Sequence, residues 1–139
     1  LKPLYFWLTL GYCALIFWLS SQTDPPQPEI TFPLKDKLSH ILLYGVLAAI
    51  VSLGLQRADR PHTPRRVFWW PVIFVFAFGT FDEFHQLSVP GRFFDPGDVV
   101  ANTLGALMAS FVLIRWYRFE NRKHLTGKPT EELAHATED

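Results

Sequence analysis

Apolar residues along the chain gather into four blocks, each free of Asp, Glu, Lys and Arg: positions 3–23, 38–56, 67–81 and 99–114. Short polar stretches separate them. Helices over blocks of this length and composition suit the hydrocarbon core of a bilayer. The pattern predicts an all-α fold, an integral membrane four-helix bundle over residues 1–117. A polar tail, 118–139, ends in "EELAHATED" and is expected to be frayed or disordered. No internal repeat is visible. The competing architecture is a small soluble helical bundle, and "FWWPVIFVFAFGTF" (Phe68 to Phe81) argues against it. That segment is apolar on every face, which suits lipid and not the surface of a small soluble domain.

The chain opens on Leu1, the expectation for a trimmed N-terminus. The first block, "LYFWLTLGYCALIFWLSS" (Leu4 to Ser21), is long for a signal-peptide core and lacks an A-x-A cleavage site, so it reads as a retained span. Its single cysteine, Cys13, has no intramolecular disulfide partner and reads as a small packing residue. Lys plus Arg equals Asp plus Glu, at 13 each. Without a basic excess there is no reason to expect nucleic acid as a partner.

Charge asymmetry orients the spans. One side collects ten basic residues: Lys2, Arg57, Arg60, Arg65, Arg66, Arg115, Arg118, Arg122, Lys123 and Lys128. The other holds three, Lys35, Lys37 and Arg92. The positive-inside rule therefore predicts that both termini are cytoplasmic. Trp69, Trp70 and Trp116 fall at cytoplasmic ends and Trp18 at an outer end, as interfacial aromatics do. The outer side carries Asp24, Glu29, Asp36, Asp82, Glu83, Asp95 and Asp98, seven of the 13 acids.

Those acids are the candidate chemistry. The 67–81 block rises only about 22 Å as a helix, against roughly 30 Å of hydrocarbon. To span, it should continue to about Gln86, which carries Asp82, Glu83 and His85 to the membrane boundary or below it. At the helical period Asp82, His85 and Gln86 share a face, with Glu83 to one side near Gln86. The helix dipole favours acids at the outer starts of the second and fourth spans, so capping alone accounts for Asp36, Asp95 and Asp98 as well as function does. "DPGD" reads as Asp95 at the N-cap, Pro96 at the first helical position and Asp98 two residues on. Asp82 and Glu83 end a span, where the dipole opposes them. Their structural alternative is a salt bridge to Arg92 or Lys37.

In the second span Asp36, His40 and Tyr44 follow at four-residue intervals, with Lys37 in the same arc. His40 would pair with Asp36, which would fix its tautomer, or would bond a backbone carbonyl. In the fourth span Asp98, Asn102, Gly105 and Ala109 make a stripe, polar outside and small inside; Gly105 and Ala109 read as close helix packing. "VPGR" (Val89 to Arg92) is a Pro-Gly turn that delivers an arginine suited to phosphate or carboxylate, or to pairing with Asp82, Glu83 or Asp95. Together these groups predict a polar cavity opening to the outside.

The residues that carry this pattern also resemble a known family. Ser20-Ser21-Gln22 after the first span, Asp36-Lys37-x-x-His40-x-x-x-Tyr44, Asp82-Glu83-x-x-Gln86 and Pro90-Gly91-Arg92-x-x-Asp95-x-x-Asp98-x-x-x-Asn102-x-x-Gly105 are similar, in order, to the VanZ-like family. The resemblance runs from Ser20 to Gly105 and leaves His85 to the local argument alone. It implies an integral protein of the bacterial cytoplasmic membrane. The family's namesake is associated with resistance to the glycopeptide teicoplanin. The resemblance implies no particular reaction.

Two functions compete at this level. The first is an enzyme acting on an envelope lipid or glycan precursor at the outer leaflet, by hydrolysis or group transfer. Asp82 or Glu83 would be general base, His40 or His85 the acid/base partner, and Arg92 and Lys37 an anion clamp, with Asp36, Tyr44, Gln86, Asp95, Asp98 and Asn102 lining the site. A divalent metal is a variant of this reading, although no compact motif such as HExxH is present and the sequence designates no cofactor. The second function is non-catalytic binding of an amphipathic envelope molecule or glycopeptide, dominated by Arg92 and Lys37. Transport is a weaker third reading, since four spans make a poor conduit unless the chain forms an oligomer.

Overall fold

The structure, a computed structural model, describes residues 2–23, 35–59 and 62–126, with side chains through Phe119. Four helices follow in chain order: α1 (Pro3–Ser20), α2 (Lys35–Gln56), α3 (Pro64–Gln86) and α4 (Pro96–Thr126). All four are long and apolar enough to cross a membrane. The fold is an all-α four-helix bundle, as expected. Asp24, Glu29 and Arg60, the side chains of Arg122 and Lys123, and Lys128 all lie outside the described residues. The tail expected from Arg118 falls partly on α4, which runs on to Thr126; residues 127–139 lie outside the described part.

Local chemistry sets the helix ends. Pro64 opens α3, where its missing N–H costs nothing, and the Thr63 hydroxyl accepts from Arg66 N at 3.4 Å. The third helix does continue to Gln86; its 23 residues rise about 34 Å, enough to cross the hydrocarbon. Pro96 opens α4, and the Asp95 carboxylate accepts from Gly97 N at 2.7 Å, the expected cap.

Contacts between side chains and loops sort the helix ends into two groups. Lys2 pairs with Asp59 at 3.8 Å, Arg57 reaches the Tyr5 hydroxyl, and Tyr117 donates to His62 O at 3.2 Å. These contacts gather the start of α1, the α2–α3 loop and the α4 segment at Tyr117 at one end. Ser20, Lys37, Asp82 and Asp95 meet at the other. The helices thus run up, down, up and down. Among the described residues, Asp36, Asp82, Glu83, Asp95 and Asp98 lie at one end with Lys35, Lys37 and Arg92, and Lys2, Arg57, Arg65 and Arg66 lie at the other with Asp59.

The helices do not share the core equally. The second packs most closely on α4, which also packs on α3; α1 lies mainly on α2 and touches α3 little. The buried face of α4 includes Asp98, Ala101, Asn102, Gly105, Ala106 and Ser110, and continues to Leu113 and Ile114. Gly105 is the point of closest approach: a Cβ there would run into Ile41 O and stand 3.1 Å from Gly45 N. Backbone, not a movable side chain, occupies the space. In α1 only Ile16 and Ser20 are buried, and Trp7, Leu8, Leu15 and Trp18 are exposed. Such an apolar periphery suits a lipid surround.

The crossing at Gly105 makes a direct prediction. Gly105→Ala should force α2 and α4 apart and cost about 1–3 kcal/mol, seen as a lower melting temperature in detergent. Gly11→Ala, where nothing lies within 4 Å, should melt like the wild type or slightly higher. Equal melting of the two variants would show that the crossing is looser than described.

Candidate functional site

The last turn of α3 places two carboxylates at the acidic end of the bundle. Asp82 is 1% exposed and Glu83 0%. Carboxylates at a helix C-terminus are opposed by the dipole and, at membrane depth, by desolvation. Each therefore needs donors. Asp82 Oδ1 accepts from the Ser20 hydroxyl of α1 at 2.6 Å, and its Oδ2 accepts from the Tyr44 hydroxyl of α2 at 3.0 Å. Glu83 Oε1 accepts from Gln86 Nε2 at 3.0 Å, and its Oε2 accepts from Asp95 N, just before α4, at 3.3 Å. All four helices thus converge on this pair. Neither carboxylate forms an ion pair among the described residues, so the salt bridge considered for them is not made.

The cations are committed elsewhere. Lys37 bonds both Asp95 and Asp98. Its ammonium, helped by Gly97 N–H, holds the Asp95 carboxyl below the usual carboxylate range. Arg92 reaches no carboxylate; it grips Gln86 Oε1 through Nε at 3.1 Å and Nη2 at 2.5 Å. The turn that delivers it is the expected Pro-Gly turn. Gly91 has φ +80, which a side chain would strain, and Arg92 N bonds back to Val89 O at 3.1 Å.

A second polar layer joins α2 to α4. His40 Nδ1 lies 2.9 Å from Asn102 Oδ1, and its Nε2 lies 3.7 Å from Asp98 Oδ2. Asn102 is fully buried. The partner of His40 is thus Asn102 across the helix interface. Asp36 makes no hydrogen bond to it, but offers an oxygen within 4.8 Å of ligand atoms of His40 and Asp98. His40 and Tyr44 stack with ring centroids 6.1 Å apart.

These groups border a cavity of about 80 Å³, room for on the order of three waters. Its polar wall comprises Ser20, Asp36, Ser39, His40, Tyr44, Asp82, Gln86 and Arg92, and its apolar wall Ile16, Leu19 and Leu43. Two larger grooves, about 480 and 430 Å³, lie at the basic end beside Arg66 and Trp70 and have no buried carboxylate.

Of the residues singled out from the sequence, Asp82, Glu83, His40, Arg92, Lys37, Asp36, Tyr44, Gln86, Asp95, Asp98 and Asn102 all come to this end of the bundle. His85 does not join them. Its ring lies 4.0 Å from that of Phe17 on α1, and its Nδ1 is buried without a hydrogen-bond partner. Here the expected helix face is rotated: Asp82, Glu83 and Gln86 are buried, and His85 rests on Phe17 of α1. Two polar residues of the cavity, Ser20 and Ser39, were missed. Ser20 stands in the "SSQ" stretch, but nothing in that stretch tells that its hydroxyl reaches across to α3.

No curated protein sequence and no solved structure matches the chain. The family model described as VanZ/LLP1 matches residues 6–118, which takes in α1 through most of α4 and every residue of the site. The chain is therefore a multi-pass membrane protein belonging to the VanZ/LLP1 family.

Proposed function

We propose that this protein is an enzyme of the bacterial cytoplasmic membrane, acting at its outer face on the headgroup of an envelope lipid or glycan precursor by hydrolysis or group transfer. One observation carries the reading. Asp82 is a buried carboxylate without a cation, it borders a cavity, and it already holds a hydroxyl proton donor, Ser20, at 2.6 Å. A general base needs that relation to the group it deprotonates. A substrate hydroxyl or water entering the cavity would take the place that Ser20 holds.

The roles of the other residues follow from their contacts. Arg92, locked by Gln86, offers a fixed guanidinium to an anionic headgroup. Glu83 orients Gln86 and ties α3 to the start of α4. His40 borders the same cavity, with its Nδ1 on Asn102 and its Nε2 beside Asp98. Lys37 positions Asp95 and Asp98 and does not face the substrate. The wall of Ile16, Leu19 and Leu43 beside these polar groups suits an amphipathic molecule, with its headgroup in the cavity and its chain along the bundle.

The outward orientation follows from the basic residues at the opposite end. In intact cells a membrane-impermeant maleimide should label Ser88→Cys and not Asp59→Cys, both in a Cys13→Ala background. The reverse pattern would turn the site to the cytoplasm.

Catalysis is tested by mass spectrometry of envelope lipids and lipid-linked precursors from cells lacking the protein. A precursor should accumulate, and the wild type should clear it while Asp82→Asn and Arg92→Ala do not. Purified Asp82→Asn should carry the precursor, and Arg92→Ala should not. Clearance by Asp82→Asn at the wild-type rate would end the enzyme reading and leave a binding protein that depends on Arg92.

A further inference from the structure

We propose that Asp36, His40 and Asp98 form a binding site for a divalent transition-metal ion, of which Zn²⁺ is the type, at the edge of the cavity. The three side chains each offer one ligand atom, and these atoms lie within 4.8 Å of one another. Ligands of one tetrahedral ion at about 2.0–2.2 Å stand roughly 3.3 Å apart. His40 Nε2 and Asp98 Oδ2, at 3.7 Å, are close to that spacing and too far apart for a hydrogen bond. Asp36 stands one helical turn before His40 and is only half buried, so its carboxylate closes on the pair by side-chain rotation.

Three independent features point to a cation there. The first is the orientation of the imidazole. Asn102 Oδ1 is an acceptor 2.9 Å from His40 Nδ1, so Nδ1 carries the proton. In the neutral ring Nε2 then holds the lone pair, directed to Asp98. Ligating histidines are held in this way, by an acceptor behind the ring. Asn102, fully buried, is the orienting group.

The second feature is the use of Asp98. Lys37 bonds its Oδ1, and its Oδ2 lies 3.7 Å from His40 Nε2. The third is charge. The described residues of this end include five carboxylates, Asp36, Asp82, Glu83, Asp95 and Asp98, against Lys35, Lys37 and Arg92. This end therefore carries an acidic excess, which favours a bound cation. An imidazole with two carboxylates favours a first-row transition ion over Mg²⁺ or Ca²⁺, which prefer oxygen alone.

Asp36 and His40 both border the cavity that holds Asp82 and Arg92. An ion on them would give the anionic headgroup a second positive contact. That use of the ion rests on the enzyme reading; the site itself rests on its own geometry.

The test is metal binding by the full-length chain, purified in detergent without a histidine tag and stripped with chelator. Titration with Zn²⁺ by calorimetry and elemental analysis should find one saturable ion per chain. Asn102→Ala should weaken it about 10–100-fold, and His40→Ala and Asp98→Asn by more. Asp36→Asn, at a half-buried position that leaves the core untouched, should also weaken it. His85→Ala should bind as the wild type. Co²⁺ in the wild type should give the visible bands of a nitrogen- and oxygen-ligated ion, and these should be lost in Asp36→Asn. Absence of saturable binding, or binding unchanged in both His40→Ala and Asp36→Asn, would overturn the site. The enzyme reading is separable from it, since it stands or falls on precursor clearance by Asp82→Asn.

Discussion

Everything at the acidic end of this bundle answers one constraint: two carboxylates are buried in the last turn of a membrane helix with no cation on either. Desolvating a carboxylate costs several kcal/mol after relaxation. The helix dipole adds to that cost at a C-terminus. Hydrogen bonds to charged groups return about 1.5–3 kcal/mol each. Asp82 therefore draws a hydroxyl from α1 and another from α2, and Glu83 draws an amide from its own helix and a backbone N–H from the start of α4. The convergence of four helices on one point is the structural consequence.

Cations are present nearby but held off. Lys37 is tied to Asp95 and Asp98, and Arg92 is fixed on the neutral oxygen of Gln86. A bundle built only for stability would gain by closing Arg92 onto Glu83 or Asp82, since removing a partner from a buried charge is what costs most. Separation of the charges instead leaves an oriented base and an oriented guanidinium on one cavity, which Ile16, Leu19 and Leu43 also line. That division is the physical basis for reading the site as chemistry and not as a clamp.

Much of this was legible in the sequence, because some features depend on one helix alone. The extension of α3 to Gln86 follows from the thickness of the hydrocarbon, the Asp95-Pro96 start of α4 from capping chemistry, and the turn before Arg92 from Pro-Gly. The close contact at Gly105 follows from small-residue spacing. Features that depend on the rotation of one helix against another were not legible. Periodicity puts His85 beside Asp82 but does not say that the core lies on the Glu83 side. It pairs His40 with Asp36 four residues away, whereas the tight α2–α4 crossing brings Asn102 closer. It gives no hint of Ser20 on Asp82, a contact from α1 to α3.

The most direct measurement is thermal unfolding in detergent of the wild type, Asp82→Asn and Glu83→Gln. If the two carboxylates are charged for function, neutralising them relieves a buried cost while each amide oxygen keeps one of the two accepted bonds. Melting temperature is then unchanged or raised. A loss equivalent to several kcal/mol in both variants would contradict the account, and would mean that the pair exists to hold the bundle together.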